Sequence, residues 1–122
     1  MIYVIDHKDS FTHNVVHQLS LFDEVECDNY NNVDKIKLNK AKVIVFSPGP
    51  GNPKNYPLTS KIYNQFKGKK KIIGICLGFQ QILFCEGAQI VEQNKIYHGY
   101  QSNIKVNSKN SLFKKNQIFK VG

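Results

Sequence analysis

The segment Ile72-Ile73-Gly74-Ile75-Cys76-Leu77-Gly78 decides the fold that we expect for this chain. Its short run of β-branched residues is typical of a buried strand in a parallel sheet. Apolar residues then recur with helical spacing from Leu77 to about residue 87. A strand therefore passes directly into a helix, and Cys76 occupies the turn between them.

Cys76 is the first candidate for chemistry. Gly74 and Gly78 stand two positions to either side of it, which makes the thiol analogue of Gly-x-Ser-x-Gly. Side chains at those two positions would collide in so tight a turn, so glycine there leaves the cysteine sulfur exposed. The N–H groups at the start of the helix favour the thiolate. We predict a nucleophile; the alternative is a small apolar residue at a strand end, as we expect for Cys27 and Cys85.

Strands and helices alternate on the N-terminal side of this segment. Apolar runs predict strands at 2–5, 25–27 and 43–46, and helical spacing predicts helices at 11–21 and 57–66. Asp9 and Ser10 are both suitable N-caps for the first helix. Beyond residue 87, short strand-like pieces follow at 90–91, 96–97, 104–106 and 118–121.

This alternation predicts one α/β domain over residues 1–122. Its sheet would be open and mainly parallel, with helices on both faces. The later pieces would form short antiparallel edge strands toward the C-terminus. In such a sheet, sites form at the carboxyl ends of the strands.

Composition argues against nucleic acid and membrane partners. The net charge is +8, but all 17 basic residues are lysines, scattered along the chain. Arginine is the usual residue for bidentate recognition of bases and phosphates, and it is absent. No apolar run approaches the roughly 20 residues that cross a bilayer. The N-terminal segment has no basic stretch before its apolar run, which favours a cytoplasmic protein.

Three cysteines without metal-ligand spacing predict free thiols, and no metal site or cofactor. A second loop with unusual composition, Ser47-Pro48-Gly49-Pro50-Gly51-Asn52-Pro53, follows the strand at 43–46. Its glycines let the backbone approach a ligand and point N–H groups at it. One such N–H, together with that of Leu77, would make an oxyanion hole for attack by Cys76. The alternative is a rigid turn with no role in chemistry.

These two segments resemble motifs of the class I (triad-type) glutamine amidotransferases. Within them, the chain is similar to the small subunits of anthranilate synthase and aminodeoxychorismate synthase. The segment Asp6-His7-Lys8-Asp9-Ser10-Phe11-Thr12-His13-Asn14 resembles that subgroup's Asp-Asn-Tyr-Asp-Ser-Phe-Thr-Tyr-Asn, and His98-Gly99 resembles its His-Gly-Lys. The resemblance extends over the whole chain and implies that family's flavodoxin-like fold.

The resemblance implies roles for several residues. Cys76 would attack the side-chain amide of glutamine and form a thioester, releasing ammonia for a partner synthase subunit that aminates chorismate. Gly51 and Leu77 would supply the oxyanion N–H groups. Three residues would hold the glutamine: Gly49, Pro50 and Gln80. Four residues would lie at the interface with the synthase partner: Ser10, Phe11, His98 and Gly99.

The chain also departs from the family. His7, Lys8 and His13 change a segment that we expect to face the synthase partner. Phe79 replaces a histidine, for which we expect a change of packing, and Tyr100 replaces a lysine. The family's general base and orienting acid form a His-x-Glu, which occurs nowhere in the 122 residues. We therefore expect a C-terminally incomplete amidotransferase domain that is inactive or poorly active alone.

Other functions stay open at this point. The chain could be a catalytically incomplete fragment or a non-catalytic partner subunit of the same fold. It could also be a flavodoxin-like module whose glycine loops hold a phosphate, although Asp6 and Asp9 would repel one. A thiol hydrolase that shares only the turn at Cys76 would leave Ser47 to Gly51 without a role.

Overall fold

The computed structural model describes residues 1–95 and 99–121, which fall into two compact units divided after Ile90. The first unit is an α/β layer structure, and the second is a small antiparallel hairpin. The prediction of one domain is not tested by this division. The predicted strand at 96–97 lies outside the described residues.

The first unit is built on a parallel sheet of four strands. These are β1 (Ile2–Asp6), β2 (Val25–Asn29), β3 (Val43–Phe46) and β4 (Lys71–Gly74). Their order across the sheet is β2-β1-β3-β4, and every neighbouring pair is parallel. The predicted open parallel sheet is therefore confirmed.

Helices cover both faces of this sheet. They are α1 (Thr12–Ser20), α2 (Lys35–Lys40), α3 (Pro57–Phe66) and α4 (Leu77–Cys85), with a 3-10 turn at Pro53–Asn55. On one face, Val15 of α1 packs with Val4 and Val45 of the sheet. On the other, residues of α2, α3 and α4 pack around Tyr3 and Phe46. No helix within residues 1–95 and 99–121 has the length and apolar character of a bilayer-crossing segment.

The helix at 57–66 begins and ends as predicted, whereas two other predictions need correction. Neither Asp9 nor Ser10 is the N-cap of α1, because Phe11 occupies that position. Asp9 instead accepts a hydrogen bond from the Phe11 backbone N–H (2.7 Å). The strand at β4 is not fully buried, since the Ile73 side chain is 47% exposed. Within the described sheet, β4 is an edge strand that pairs with β3 alone.

The second unit contains two antiparallel strands, β5 (Ser102–Lys105) and β6 (Ile118–Val121). Phe113 and Phe119 pack edge to face at a centroid distance of 5.2 Å. The expected strand at 90–91 does not form. The antiparallel character predicted for the C-terminal part is confirmed.

Candidate functional site

Three connecting segments meet at one edge of the parallel sheet. They follow β1, β3 and β4, which are adjacent strands that run in the same direction. Because parallel strands end at the same edge, the turn after Asp6, the loop at 47–53 and the turn at Cys76 lie together. Residues far apart in sequence thus come into contact there.

Cys76 adopts a backbone conformation that non-glycine residues rarely use. Its φ is 53° and its ψ is −110°, and it immediately precedes the first residue of α4. Its side chain caps no helix N–H, and the residue is exposed. A strained turn that presents a sulfur at the start of a helix is the geometry of a nucleophile elbow.

Close contacts require glycine at both positions that flank Cys76. The sequence predicts a collision of side chains there, and the structure shows which atoms they would meet. A Cβ at Gly74 would lie 2.5 Å from the carbonyl carbon of Gly78 and from the amide nitrogen of Phe79. A Cβ at Gly78 would lie 2.7 Å from the Cβ of Phe46 and would overlap that residue's carbonyl oxygen. The turn therefore presses α4 against both β4 and β3.

The glycine loop rests on the elbow helix. A Cβ at Gly49 would lie 2.5 Å from the Cβ of His7 and 2.8 Å from Cδ2 of Leu77. Gly51 has a φ of +81°, a conformation that disfavours any side chain. A side chain at Gly49 would separate the loop from the elbow, whereas one at Gly51 would meet the amide oxygen of Asn55 at 2.5 Å.

Two hydrogen-bonding side chains hold the loop in place. The hydroxyl of Tyr56 donates to the carbonyl oxygen of Pro50 (2.6 Å). The amide of Gln81, on α4, donates to the carbonyl oxygens of Pro53 (3.0 Å) and Tyr56 (3.2 Å). Sequence reasoning named neither residue. The one signal for Gln81 in the sequence is a polar residue at a position of α4 that faces the core.

The predicted oxyanion donors have free backbone N–H groups. Within the described residues, the N–H groups of Gly51 and Leu77 donate to no acceptor, whereas Gly78 donates to Ile75 (2.9 Å). Leu77 is 1% exposed, so its side chain fixes the start of α4 in the core. Donors of this kind can stabilise an oxyanion without reorganising.

The other residues predicted to hold glutamine differ in exposure. Pro50 is exposed, and Gln80 is half-buried with its backbone N–H bonded to the carbonyl oxygen of Cys76 (3.0 Å). No side-chain hydrogen bond of Gln80 is formed within the described part of the chain. Phe79 is 54% exposed, and the change of packing relative to the family's histidine stays a prediction.

His7 corrects an expectation from the sequence. It was expected to face the synthase partner, but it is fully buried. Its Nε2 lies 2.9 Å from the hydroxyl of Thr59, and its Nδ1 lies 3.1 Å from the carbonyl oxygen of Ser47. His7 continues the odd-numbered positions Tyr3 and Ile5, which pack in the core cluster with Phe46, so the two-residue period of the strand could have signalled this burial.

The tip of the turn after β1 is exposed, whereas Asp9 is half-buried and Thr12 is buried. Asp6 organises it by accepting hydrogen bonds from the Lys8 N–H (3.0 Å) and the Thr12 hydroxyl (2.8 Å). Ser10 and Phe11 lie on the surface, with Phe11 58% exposed. Of the other residues predicted at or near the partner interface, Lys8, His13 and Gly99 are exposed, and His98 lies outside the described residues.

The remaining cysteines differ from Cys76 in their surroundings. Cys27 is half-buried in β2, where burial, and then the carboxylate of Asp6, raises its pKa to about 11. Cys85 is half-buried at the end of α4 against the core. Among the described residues, no cluster of three or more histidine, cysteine or acidic side chains could hold a metal ion.

Comparison with known proteins relates this site to one family. A family model described as class-I glutamine amidotransferase matches residues 3–122. Anthranilate synthase component 2 of Lactococcus lactis is 36% identical over 118 residues, which cover 93% of this chain and 58% of that protein. The aminodeoxychorismate/anthranilate synthase component 2 of Bacillus subtilis is 33% identical over 112 residues and is covered to 58% of its length.

A solved structure agrees in fold. A putative GMP synthase subunit of Thermoplasma acidophilum superposes with a TM-score of 0.69 at 24% identity. The match covers 86% of this chain and 53% of that one. The chain thus spans little more than half the length of the proteins it resembles. The parallel sheet, the elbow at Cys76 and the match over residues 3–122 place the chain in the class-I glutamine amidotransferase family.

Proposed function

We propose that this chain carries the nucleophile half of a glutaminase that supplies ammonia to a chorismate-aminating synthase. The observation that carries the proposal is the backbone of Cys76, held at a φ of 53° at the start of α4 with its residue exposed. The names of the relatives support the amidotransferase reaction and the synthase partner. Glutamine is the substrate that this family implies.

In the proposed reaction, the Cys76 sulfur attacks the side-chain amide carbon of glutamine. The oxygen that becomes negative in the tetrahedral intermediate accepts hydrogen bonds from the N–H groups of Gly51 and Leu77. The carbon–nitrogen bond then breaks, the nitrogen takes a proton and leaves as ammonia, and a thioester remains. Water hydrolyses the thioester and gives glutamate.

The glutamine-binding role falls on three residues around the elbow: Gly49, Pro50 and Gln80. Gly49 lies directly against Leu77, and Gln80 follows Cys76 by one turn of α4. Ser10 and Phe11 form an exposed surface on a different segment of the same sheet edge. We assign this surface, together with His98 and Gly99, to the synthase partner.

The acid–base part of the reaction has no residue assigned to it in this chain. No His-x-Glu occurs in the sequence, and His7 is occupied by Ser47 and Thr59. Loss of a general base lowers a rate by roughly 10²–10⁴-fold. We therefore expect these residues to form the covalent bond to glutamine analogues but to turn glutamine over poorly. The second candidate function, a non-catalytic partner subunit of this fold, follows from the same absence.

A diazoketone analogue of glutamine distinguishes these two functions. It alkylates an elbow cysteine with loss of N₂, and the adduct is read by intact mass and peptide mapping. We expect one adduct on Cys76, protection by glutamine, and none in Cys76→Ser. Cys27 and Cys85 serve as internal controls, because both are half-buried. The glutaminase proposal would be overturned if iodoacetamide alkylates Cys76 and the diazoketone does not.

A further inference from the structure

His7 is the only buried histidine in the part of the chain that the structure describes; His13 and His17 are exposed. Its ring lies within the molecule between three aromatic residues. Tyr30 stacks on it at a centroid distance of 5.9 Å, and Tyr56 meets it edge on at 4.8 Å. Phe46 lies further away, at 6.4 Å.

The hydrogen bonds of His7 determine which nitrogen carries the proton. The Ser47 carbonyl oxygen, 3.1 Å from Nδ1, can only accept, so Nδ1 is the protonated nitrogen. Nε2 then accepts from the hydroxyl of Thr59 at 2.9 Å. The neutral Nδ1–H tautomer therefore satisfies both ring nitrogens.

The backbone of His7 adds a second connection to the same loop. Its N–H donates to the Oγ of Ser47 (2.8 Å), and that hydroxyl donates to the carbonyl oxygen of Pro48 (2.7 Å). Side chain and backbone thus both hold the residue that begins the glycine loop. Thr59 extends the connection to α3.

Gly49 lies directly against His7. A Cβ added there would come within 2.5 Å of the His7 Cβ on one side and 2.8 Å of Leu77 Cδ2 on the other. The loop is therefore held between His7 and the first residue of α4. A shift of His7 moves the loop relative to Leu77.

We propose that His7, as the neutral Nδ1–H tautomer, is a positioning residue that holds the Ser47–Gly51 segment against Leu77, and that protonation of its ring loosens this segment. The inference rests on the proposed glutaminase function, because it concerns the spacing of the two oxyanion donors. It assigns His7 no direct part in proton transfer.

A charged His7 has little around it to compensate its charge. Among the described residues, the ionisable groups in contact with His7 or next to it are Asp6, the last residue of β1, Lys8, whose Nζ lies over the Tyr30 ring, and the ring neighbours Tyr30 and Tyr56. The carboxylate of Asp6 favours the charged ring, but it already accepts hydrogen bonds from Thr12 and backbone N–H groups. Burial lowers the pKa of His7 below its ordinary 6.5, against the opposing effects of the Ser47 carbonyl and Asp6.

Nuclear magnetic resonance tests the proposal without any activity. Nitrogen-15 shifts of the imidazole report the tautomer and the titration of His7 directly. We expect the Nδ1–H form above neutral pH and a midpoint below 6.5. The amide resonances of Gly49 and Gly51 should move with that same midpoint. In the matched control His17→Asn, which changes an exposed residue of α1, these shifts should be unchanged.

Labelling of Cys76 tests the consequence for the site. His7→Leu keeps bulk but removes both hydrogen bonds, whereas the amide nitrogen of His7→Asn can still donate to Ser47 and does not titrate. The rate with the diazoketone is divided by the rate with iodoacetamide, which cancels the thiolate fraction. For His7→Leu we expect this ratio to fall by about 10- to 100-fold, because the oxyanion donors are displaced.

In the unaltered chain, the ratio of the two rates should decline as the pH falls below 6.5, because protonation of His7 loosens the loop. His7→Asn should retain most of the ratio and show no such decline, because asparagine does not titrate. Should His7→Leu fail to fold, the pH profile of His7→Asn still decides the proposal. Three results would each overturn the proposal. The first is an unprotonated Nδ1, and the second is a set of Gly49 and Gly51 amide shifts that do not titrate with His7. The third is a pH profile of the rate ratio that is the same in His7→Asn and in the unaltered chain. If the unaltered chain resists the diazoketone altogether, the glutaminase proposal fails, and the resonance measurements alone decide the role of His7.

Discussion

At Gly78, the strand beneath the helix occupies the space that a side chain would need. A Cβ there would overlap the carbonyl oxygen of Phe46, which belongs to the central strand β3 and cannot move aside. That same oxygen accepts a hydrogen bond from the Ile75 N–H (3.0 Å). The absence of a side chain at Gly78 is thus what allows Cys76 to stand at the top of the sheet with a φ of 53°.

Gly78→Ala should destabilise the chain even though alanine is the better helix former. Overpacking against backbone costs about 3 kcal/mol, which exceeds the roughly 1 kcal/mol that alanine gains over glycine in a helix. Urea unfolding measures the difference. We also expect slower labelling of Cys76 by the glutamine analogue, because the elbow is displaced.

The matched control is Gly68→Ala, which adds the same methyl group in open space. Gly68 has a φ of +76° and no atom within 4 Å of the added Cβ. Its substitution should cost about 1 kcal/mol through backbone strain alone and leave labelling of Cys76 unchanged. Equal stability of Gly78→Ala and the unaltered chain would contradict the contact described for the elbow.

At the scale of elements, the side chain of Gln81 joins the elbow helix α4 to the end of the glycine loop by hydrogen bonds. Gln81 is fully buried, and its amide nitrogen lies within hydrogen-bonding distance of the carbonyl oxygens of Pro53 and Tyr56 and of the Ser60 hydroxyl (2.7 Å), so its two N–H groups are shared among three acceptors. Its Oε1 is buried without a hydrogen-bond partner among the described residues. Gln80, one position earlier, takes no part in this network. Adjacent glutamines on one helix therefore have different tasks.

Gln81→Leu and Gln80→Leu should separate stability from binding. Gln81→Leu removes the amide hydrogen bonds to the Pro53 and Tyr56 carbonyls, which then keep only the bonds from the backbone N–H groups of Tyr56 (3.1 Å) and Ser60 (3.3 Å). We expect a net loss of about 1 kcal/mol, because the substitution also removes the buried Oε1 that has no partner among the described residues. Gln80→Leu should leave the urea midpoint unchanged and slow labelling by the glutamine analogue, since we assign Gln80 to substrate. If Gln80→Leu unfolds more easily and Gln81→Leu only slows labelling, the structural role belongs to Gln80 and the substrate-binding role to Gln81.

The sequence predicts most elements because their signals are local. The helix at 57–66 follows from apolar residues four apart and a proline at its start. The helix at Lys35–Lys40 went unpredicted, since six residues carry too short a pattern. It forms because Asp34 caps it, accepting from the N–H groups of Ile36 (2.7 Å) and Lys37 (3.2 Å). The exposure of β4 could not be predicted, because it depends on which strand becomes the edge.

At the scale of the whole molecule, Asp28 and His7 are two of the groups that link stability to pH. Burial opposes ionisation of Asp28, but hydrogen bonds from Lys37 (2.9 Å) and Tyr3 (2.7 Å) outweigh it and lower the pKa of its carboxyl. His7 also has a lowered pKa, because it is buried. In both cases the unfolded chain binds the proton more readily than the folded one, so stability is lost as the pH falls.

The free energy of unfolding should therefore decline in two steps upon acidification. The first step begins near pH 6.5, where the unfolded His7 takes up a proton, and the second near pH 3.8, where unfolded Asp28 does so. Urea unfolding across this range measures both. Asp28→Asn should flatten only the lower step, and His7→Asn only the upper one. A single step that neither variant alters would contradict both assignments.

By itself, the sequence determined the α/β class, the elbow at Cys76 and the family. Each of these depends on patterns among residues close together in the chain: apolar strand runs, glycines at a turn, and short motifs in a fixed order. Only the tertiary structure decided the rest of the site. It buried His7, and it placed Gln81 and Tyr56 under the glycine loop. These contacts join residues 40 or 52 positions apart for His7 and 28 apart for Gln81. The His7 pairs meet because β1 and β3 are neighbours in the sheet, and the Gln81 pair meets because β3 and β4 are neighbours. No local pattern records which strands become neighbours.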